Sequence, residues 1–289
     1  MNQETAQDDS ATTPAPVSQS PWIISGTWDL VLFIATPLLI LPLLWLSRQR
    51  YSPDLIYAFV TAFGATGHHL PGLMRAYGDR SLFRRFRLRF TLVPALLLAT
   101  TLPLLFTELR QGMMVILVLW GFWHGLMQVY GFARIYDAKI ANHHPRTARL
   151  DWLLCLSWFG VGLINSDGRV YQMLEAFYQA GGATLDPVWI DGFRNLWNAV
   201  TALVTLTYIV HLSQGASRGQ SPNPLKLLTM AISFGYWWYA MVEVDSILFG
   251  IALFELFHDV QYLAIVWVFN LKRVDRDPNV GSFSRFLFR

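Results

Sequence analysis

The chain has 289 residues, a length that would allow two soluble domains, but 54% of them are hydrophobic, 14% are charged and 12 are tryptophan. That balance excludes an ordinary soluble enzyme and points to a polytopic membrane protein built as one helical bundle. The net charge of +3 is no sign of nucleic acid, because the arginines sit between apolar segments, where they set orientation in a bilayer.

Residues 1–20 are polar, acidic and rich in Ser, Thr and Pro, which predicts a disordered tail. No Lys or Arg precedes the first apolar run and no small-residue cleavage site follows it, so a removed signal peptide is not expected. Residues 21–271 then read as the bundle and 272–289 as a basic tail. Eight apolar segments are predicted: 29–47, 54–76, 90–107, 112–134, 150–165, 192–212, 225–242 and 246–270. Most approach the roughly 20 residues that cross about 30 Å of hydrocarbon. The fifth is short. Cys155 lies inside it and can form no internal disulfide.

The fold class expected is therefore all-α, a polytopic membrane bundle of about eight transmembrane helices. Of the 22 Lys and Arg, only Arg48, Arg50, Arg110, Arg169 and Arg194 fall on one side of that arrangement. The rest mark the cytoplasmic side and place both termini there. The expected location is a bacterial-type plasma (inner) membrane, crossed many times, with the lipid bilayer as the chief partner.

The last segment, LFELFHDVQYLAIVWVFN from Leu253, puts Glu255, His258, Asp259, Gln261 and Tyr262 into an apolar helix. Ionisable groups in hydrocarbon cost several kcal/mol unless paired or bound to a metal. Glu255, His258 and Tyr262 share one helix face, and a Glu-x-x-His pair is how di-iron bundles offer an oxygen and a nitrogen ligand. His68 and His69 lie in segment 2, His124 in segment 4 and His211 at the end of segment 6, all on helices expected to run in the same direction. Counting residues to the next Lys or Arg puts His68, His124, His211 and His258 in one layer, roughly 10–20 Å from the cytoplasmic boundary. Segment 4 also carries Gln128 one turn after His124, and Gly121-x-x-x-Gly125 there would admit a close neighbour.

Blander readings fit some of these residues. His211 reaches the interface as a packing residue, His143 and His144 belong to a solvated loop, and Tyr236-Trp237-Trp238-Tyr239 reads as packing or an aromatic belt. The conjunction of His69, His124 and His258 with nearby carboxylates and amides points instead to a metal site. In that reading these three histidines are ligands, with His68 beside them as a further candidate. Glu255 is a fourth ligand or a base, and Asp259, Gln128 and Gln261 orient imidazole N–H groups. Imidazoles with a carboxylate suit iron, zinc or copper, and apolar surroundings favour non-haem iron acting with oxygen on an apolar lipid or isoprenoid drawn from the bilayer. Haem held by two histidines is the main alternative, and a transporter with a His/Asp/Glu relay is the other. Phosphate-cradling glycine loops, Gly-x-Ser-x-Gly and Cys-x-x-Cys are missing, which takes most of the support from nucleotide binding and serine chemistry.

A multi-span chain with isolated intramembrane histidines resembles the Brp/Blh-type membrane carotenoid dioxygenases, iron enzymes with histidine ligands. The resemblance is one of architecture and implies iron, oxygen chemistry and an isoprenoid substrate. His-x-x-x-His does not occur in this chain, so no ligand set transfers residue by residue.

Overall fold

The computed structural model describes residues 20–276, 280, 281, 285, 286 and 288. The expected tail over 1–20 lies outside them except for Ser20, as does much of the segment 272–289. Helices succeed one another along the whole described chain, and no strand occurs among the described residues.

Helix α1 (Gly26–Asp29) passes through a π-turn (Leu30–Ile34) and bends by 44° into α2 (Thr36–Arg48). Helix α3 (Pro53–Val60) continues through a second π-turn (Thr61–Ala65) into α4 (Thr66–Gly78). Short α5 (Arg80–Arg85) leads to α6 (Arg87–Leu104) and α7 (Arg110–Lys139). Next come α8 (Pro145–Ile164), α9 (Asp167–Gln179) and α10 (Pro187–Ser217). Helix α11 (Pro224–Trp238) ends in a third π-turn (Tyr239–Glu243), and α12 (Ile247–Arg276) closes the bundle.

Local chemistry explains many of these starts. Ser52, His144, Asp186 and Asn223 each precede a proline, and the side chain of each accepts a hydrogen bond from a backbone N–H of the first turn. The capping acceptor satisfies an orphan donor, and proline at the first helical position loses nothing by lacking one.

Among the described residues, five helices are long and apolar enough to cross a membrane, and a sixth if α1 and α2 form one bent span. The predicted segments 54–76 and 225–242 are both helical but interrupted by π-turns. The short fifth segment is α8, which is among the five and is largely enclosed by its neighbours. Its polar first turns, with Arg146, Arg149 and Asp151, hide the start of the helix from hydropathy. By contrast, every residue of α6 is at least partly exposed, as a lipid-facing helix would be. The boundary expected at residue 271 falls inside α12, which runs on to Arg276.

Two tryptophans clamp α8. Trp197 from α10 lies over Gly160, and Trp237 from α11 lies over Gly162; a Cβ at either glycine would meet indole atoms at 2.5 Å or less. Their N–H groups donate to the carbonyls of Ser157 (3.1 Å) and Phe159 (2.8 Å). Together with the Tyr236 hydroxyl, which donates to Leu253 O, this makes the aromatic run 236–239 chiefly packing.

The loop expected over 166–191 contains α9, and Arg169 on α9 is buried. Its guanidinium donates to Ser166 Oγ, to the carbonyls of Ala240 and Met241 in the π-turn that ends α11, and to the carbonyl of Ile247 in the first turn of α12. Burial lowers its pKa to about 10, so it stays charged at neutral pH. Removing one donor that serves three backbone acceptors, two of them buried, is costly. Arg169→Ala should destabilise the protein by about 3 kcal/mol, with Arg169→Lys recovering part of that, read as the unfolding midpoint in detergent. An unchanged midpoint for Arg169→Ala would contradict this role.

Candidate metal centre

Helices α4, α7 and α12 bring the histidines together. Along α4, His68 meets Asp259, and further on the Arg75 guanidinium lies over the Phe269 ring at 5.0 Å, so α4 and α12 run in the same direction. Along α7, His124 meets His258 and Gln128 meets Gln261, which makes α7 parallel to α12 as well. The common direction expected for the histidine-bearing helices thus holds for these three.

His68, His124 and His258 each offer a ring nitrogen within 4.8 Å of the others. The Nε2 atoms of His124 and His258 are 3.1 Å apart, and the His68 ring centroid lies 5.8 Å from that of His124 and 5.2 Å from that of His258. His68 and His258 are buried, and His124 is half-buried. His68 Nδ1 lies 2.6 Å from Asp259 Oδ1, while its Nε2 finds no hydrogen-bond partner among the described residues. Asp259 itself is 2% exposed and fits because residue 64 is glycine: a Cβ there would lie 2.2 Å from Asp259 Oδ2.

His69 was the expected ligand on this helix, but it is exposed and its ring stacks 4.0 Å from that of His68, outside the triad. The reason is the π-turn at Thr61–Ala65. A π-turn holds one extra residue and so shifts the phase of everything after it by about one position. Regular helical counting cannot decide between adjacent histidines across such a turn.

The two glutamines also act differently from expectation. Gln128 Nε2 donates to the His258 carbonyl (3.0 Å) and to Gln261 Oε1 (3.3 Å), and Gln261 Nε2 donates to the Phe33 carbonyl (2.9 Å). They tie α12 to α7 and to the first π-turn rather than to imidazole rings. Asp259 keeps its expected place beside an imidazole. Tyr262 stands edge-on to His68 at 5.3 Å. Glu255 is half-buried one turn before Asp259, and no hydrogen bond to its carboxyl is present among the described residues. His211 hydrogen-bonds Thr147 (2.9 Å), and exposed His144 caps α8, so both are structural.

The fit of a metal can be tested on these distances. Metal–nitrogen bonds near 2.1 Å hold neighbouring imidazole nitrogens roughly 3.0–3.4 Å apart. His124 and His258 already meet that spacing, and His68 needs to close in by little more than an ångström. Its unpartnered Nε2 is the donor atom that a metal would satisfy, and the Asp259–His68 contact has the carboxylate–imidazole form that fixes a ligand's tautomer.

A second polar cluster escaped the sequence reading. Asp137, Asp151 and Lys226 are fully buried, and Arg134 is 23% exposed. Lys226 Nζ reaches both carboxylates at 2.8 Å, Arg134 reaches them at 2.6 and 2.7 Å, and the Tyr208 hydroxyl donates to Asp151 at 2.8 Å. Two cations and two carboxylates cancel. Asp137 follows His124 by thirteen residues on the same helix, so the cluster lies about 20 Å from the triad. Its signal was Asp151 inside an apolar segment and Lys226 at the edge of another.

Comparison with known protein families, with curated proteins and with solved structures finds no match.

Proposed function

We propose that this is an integral membrane metalloprotein whose centre is held by His68, His124 and His258, and that it acts as a non-haem iron oxidoreductase of the oxygenase kind on an apolar lipid or isoprenoid. The observation that carries the reading is the convergence of three imidazole nitrogens, one of them buried and unpartnered, from three parallel helices. Neutral imidazoles that leave coordination positions open suit iron that must also receive oxygen.

Within this site His68, His124 and His258 bind the ion, Asp259 holds the Nδ1 proton of His68 and so aims its Nε2, and Gln128 and Gln261 fix the height of α12 against α7. Glu255 is the base or a further ligand. Iron bound here supplies the redox chemistry with oxygen. The alternative of a bis-histidine haem is less well served, because imidazoles already 3.1 Å apart leave no room for a macrocycle between them.

Metal analysis and an absorption spectrum of the purified protein test the proposal. Stoichiometric iron with no Soret band supports it, a Soret band would transfer the site to haem, and a protein that neither carries nor takes up metal would refute it.

The orientation belongs to the same reading: eight crossings, both termini cytoplasmic, and α4, α7 and α12 descending towards the cytoplasm. Cysteines placed at Arg84 and Thr184, with Cys155 replaced by serine, should react with a membrane-impermeant maleimide from the cytoplasmic and the outer side respectively. Reaction of both from one side would break the eight-span arrangement.

A further inference from the structure

We propose that the elbow between α5 and α6 is a docking surface for anionic phospholipid headgroups, with the guanidinium groups of Arg84, Arg85, Arg87 and Arg89 on their phosphates. It stands independently of the metal centre. Residues 80–89 read RSLFRRFRLR, and Arg80, Arg84, Arg85, Arg87 and Arg89 are all exposed. Between Asp54 and Glu108 the one acidic residue is Asp79. Its carboxylate is already engaged by the Ser81 and Leu82 amides and by Arg273. Among the described residues none of the five arginines meets a carboxylate. Such a run of uncompensated positive charge attracts an anion from outside the chain.

An aromatic platform holds part of this charge in place. The Phe90 ring lies 6.3 Å from that of Phe83 and 6.1 Å from that of Phe86, and Tyr77 donates its hydroxyl proton to the Phe90 carbonyl at 2.7 Å. The guanidinium carbons of Arg85 and Arg89 lie 5.2 and 5.4 Å from the centroid of the same Phe86 ring. Stacking on a ring restricts a long side chain and leaves its N–H fork free, and that fork matches the oxygens of a phosphate.

The position of the patch favours a lipid over a soluble anion. Helix α6 is apolar and long enough to cross a membrane, and no residue of it is buried. Residues 90–107 carry no charge, and Leu88, Leu92 and Leu96 are exposed, so the arginines stand where a hydrocarbon-facing helix leaves the hydrocarbon. That is the level of the phosphates. Clustered basic residues beside a membrane span attract anionic lipids, and in the orientation proposed above they face the cytoplasmic leaflet, which carries those lipids.

The test is local and uses the whole protein in phosphatidylcholine bilayers. A bimane is attached at Thr91→Cys in a Cys155→Ser background, one helical turn beyond Arg87. It is quenched by a nitroxide on the acyl chain of either phosphatidylglycerol or phosphatidylcholine, present in both leaflets so that orientation does not enter. Half-quenching should need at least about fivefold less phosphatidylglycerol, since one arginine near a bilayer surface already corresponds to that preference. Arg84→Gln, Arg85→Gln, Arg87→Gln and Arg89→Gln together should bring the two lipids within about twofold of each other. Lys139→Gln, Arg146→Gln, Arg149→Gln and Arg218→Gln together remove as much charge elsewhere and should leave the difference in place. Lysine at the four patch positions should give an intermediate preference, because it keeps the charge without the fork. In the parent, about 1 M salt screens exposed charges beyond about 3 Å and should abolish the difference, a reading that needs no variant. Equal quenching by the two lipids in the parent, as expected if the patch bound a soluble polyanion, would overturn the proposal. So would a preference that survives the salt, one that survives the four patch substitutions, or one lost equally in both sets of glutamine variants. A lysine variant equal to the parent would overturn the forked guanidinium–phosphate contact.

Discussion

His258→Ala is expected to abolish stoichiometric metal binding while the protein still inserts and folds. One of three ligands disappears, and the remaining pair, His68 and His124, does not hold an ion against water and competing sites. His68→Ala should do the same. Asp259→Asn is the graded companion. It leaves all three imidazoles in place but removes the charge beside His68 Nδ1, and loss of such a supporting carboxylate weakens metal affinity by about 10- to 100-fold. His69→Ala should have little effect, since the His69 side chain lies outside the triad. Competition titration with a chelating dye reads all four variants. Equal affinity in His258→Ala and the parent would mean that the histidines only hydrogen-bond one another.

The second large effect is expected at the buried charge cluster. Lys226→Met leaves Asp137 and Asp151 facing each other with only the partly exposed Arg134 between them. Breaking a buried ion pair by removing one partner costs about 3–5 kcal/mol, because the other charge stays buried without compensation. Adding Asp151→Leu to Lys226→Met removes the stranded charge, so the double variant should be less destabilised than the two single costs added together. Unfolding in mixed detergent and dodecyl sulfate gives the three midpoints. Additive losses would mean that the four groups are not coupled, despite contacts of 2.6–2.8 Å.

The sequence made the helical membrane class legible because hydropathy in windows of about twenty residues is a strong physical signal. It also pointed to the histidine cluster, since His124, His258 and Asp259 are conspicuous among apolar neighbours. It could not choose between His68 and His69, because the π-turn before them shifts the helical phase and nothing in the residues Thr61–Ala65 announces a π-turn. It assigned Gln128 and Gln261 to imidazoles, where the structure has them on the backbone carbonyls of His258 and Phe33. A polar side chain's partner depends on the tilt of the neighbouring helix, which spacing does not encode. Charge counting carried a related blind spot. Arg134, Lys226 and Arg169 entered the loop tally as orientation markers, yet Lys226 and Arg169 are buried and all three are engaged in fixed contacts within the bundle. Lys226 and Arg134 need Asp151, a residue on a third helix, and such a long-range partnership is visible only after folding.

Asp79 shows a local device of another kind. Burial pushes its carboxyl up, but the Ser81 hydroxyl, the Leu82 amide and the Arg273 guanidinium outweigh that and hold it below the usual carboxylate range. It caps α5 and pairs with Arg273 at the end of α12, close to the cytoplasmic mouth expected for the histidine helices. A carboxylate depressed in the folded state contributes stability above its ordinary pKa and loses it as the pH falls through the folded value, so the contact is intact at neutral pH.

X-ray absorption at the edge of the metal bound to the purified, metal-saturated protein tests the central claim most directly. The account predicts one ion per chain with three imidazole nitrogens among its nearest neighbours, and fewer imidazoles or no ion in His258→Ala. A protein that takes up no ion, or an ion whose surroundings are the same in the parent and in His258→Ala, would contradict it.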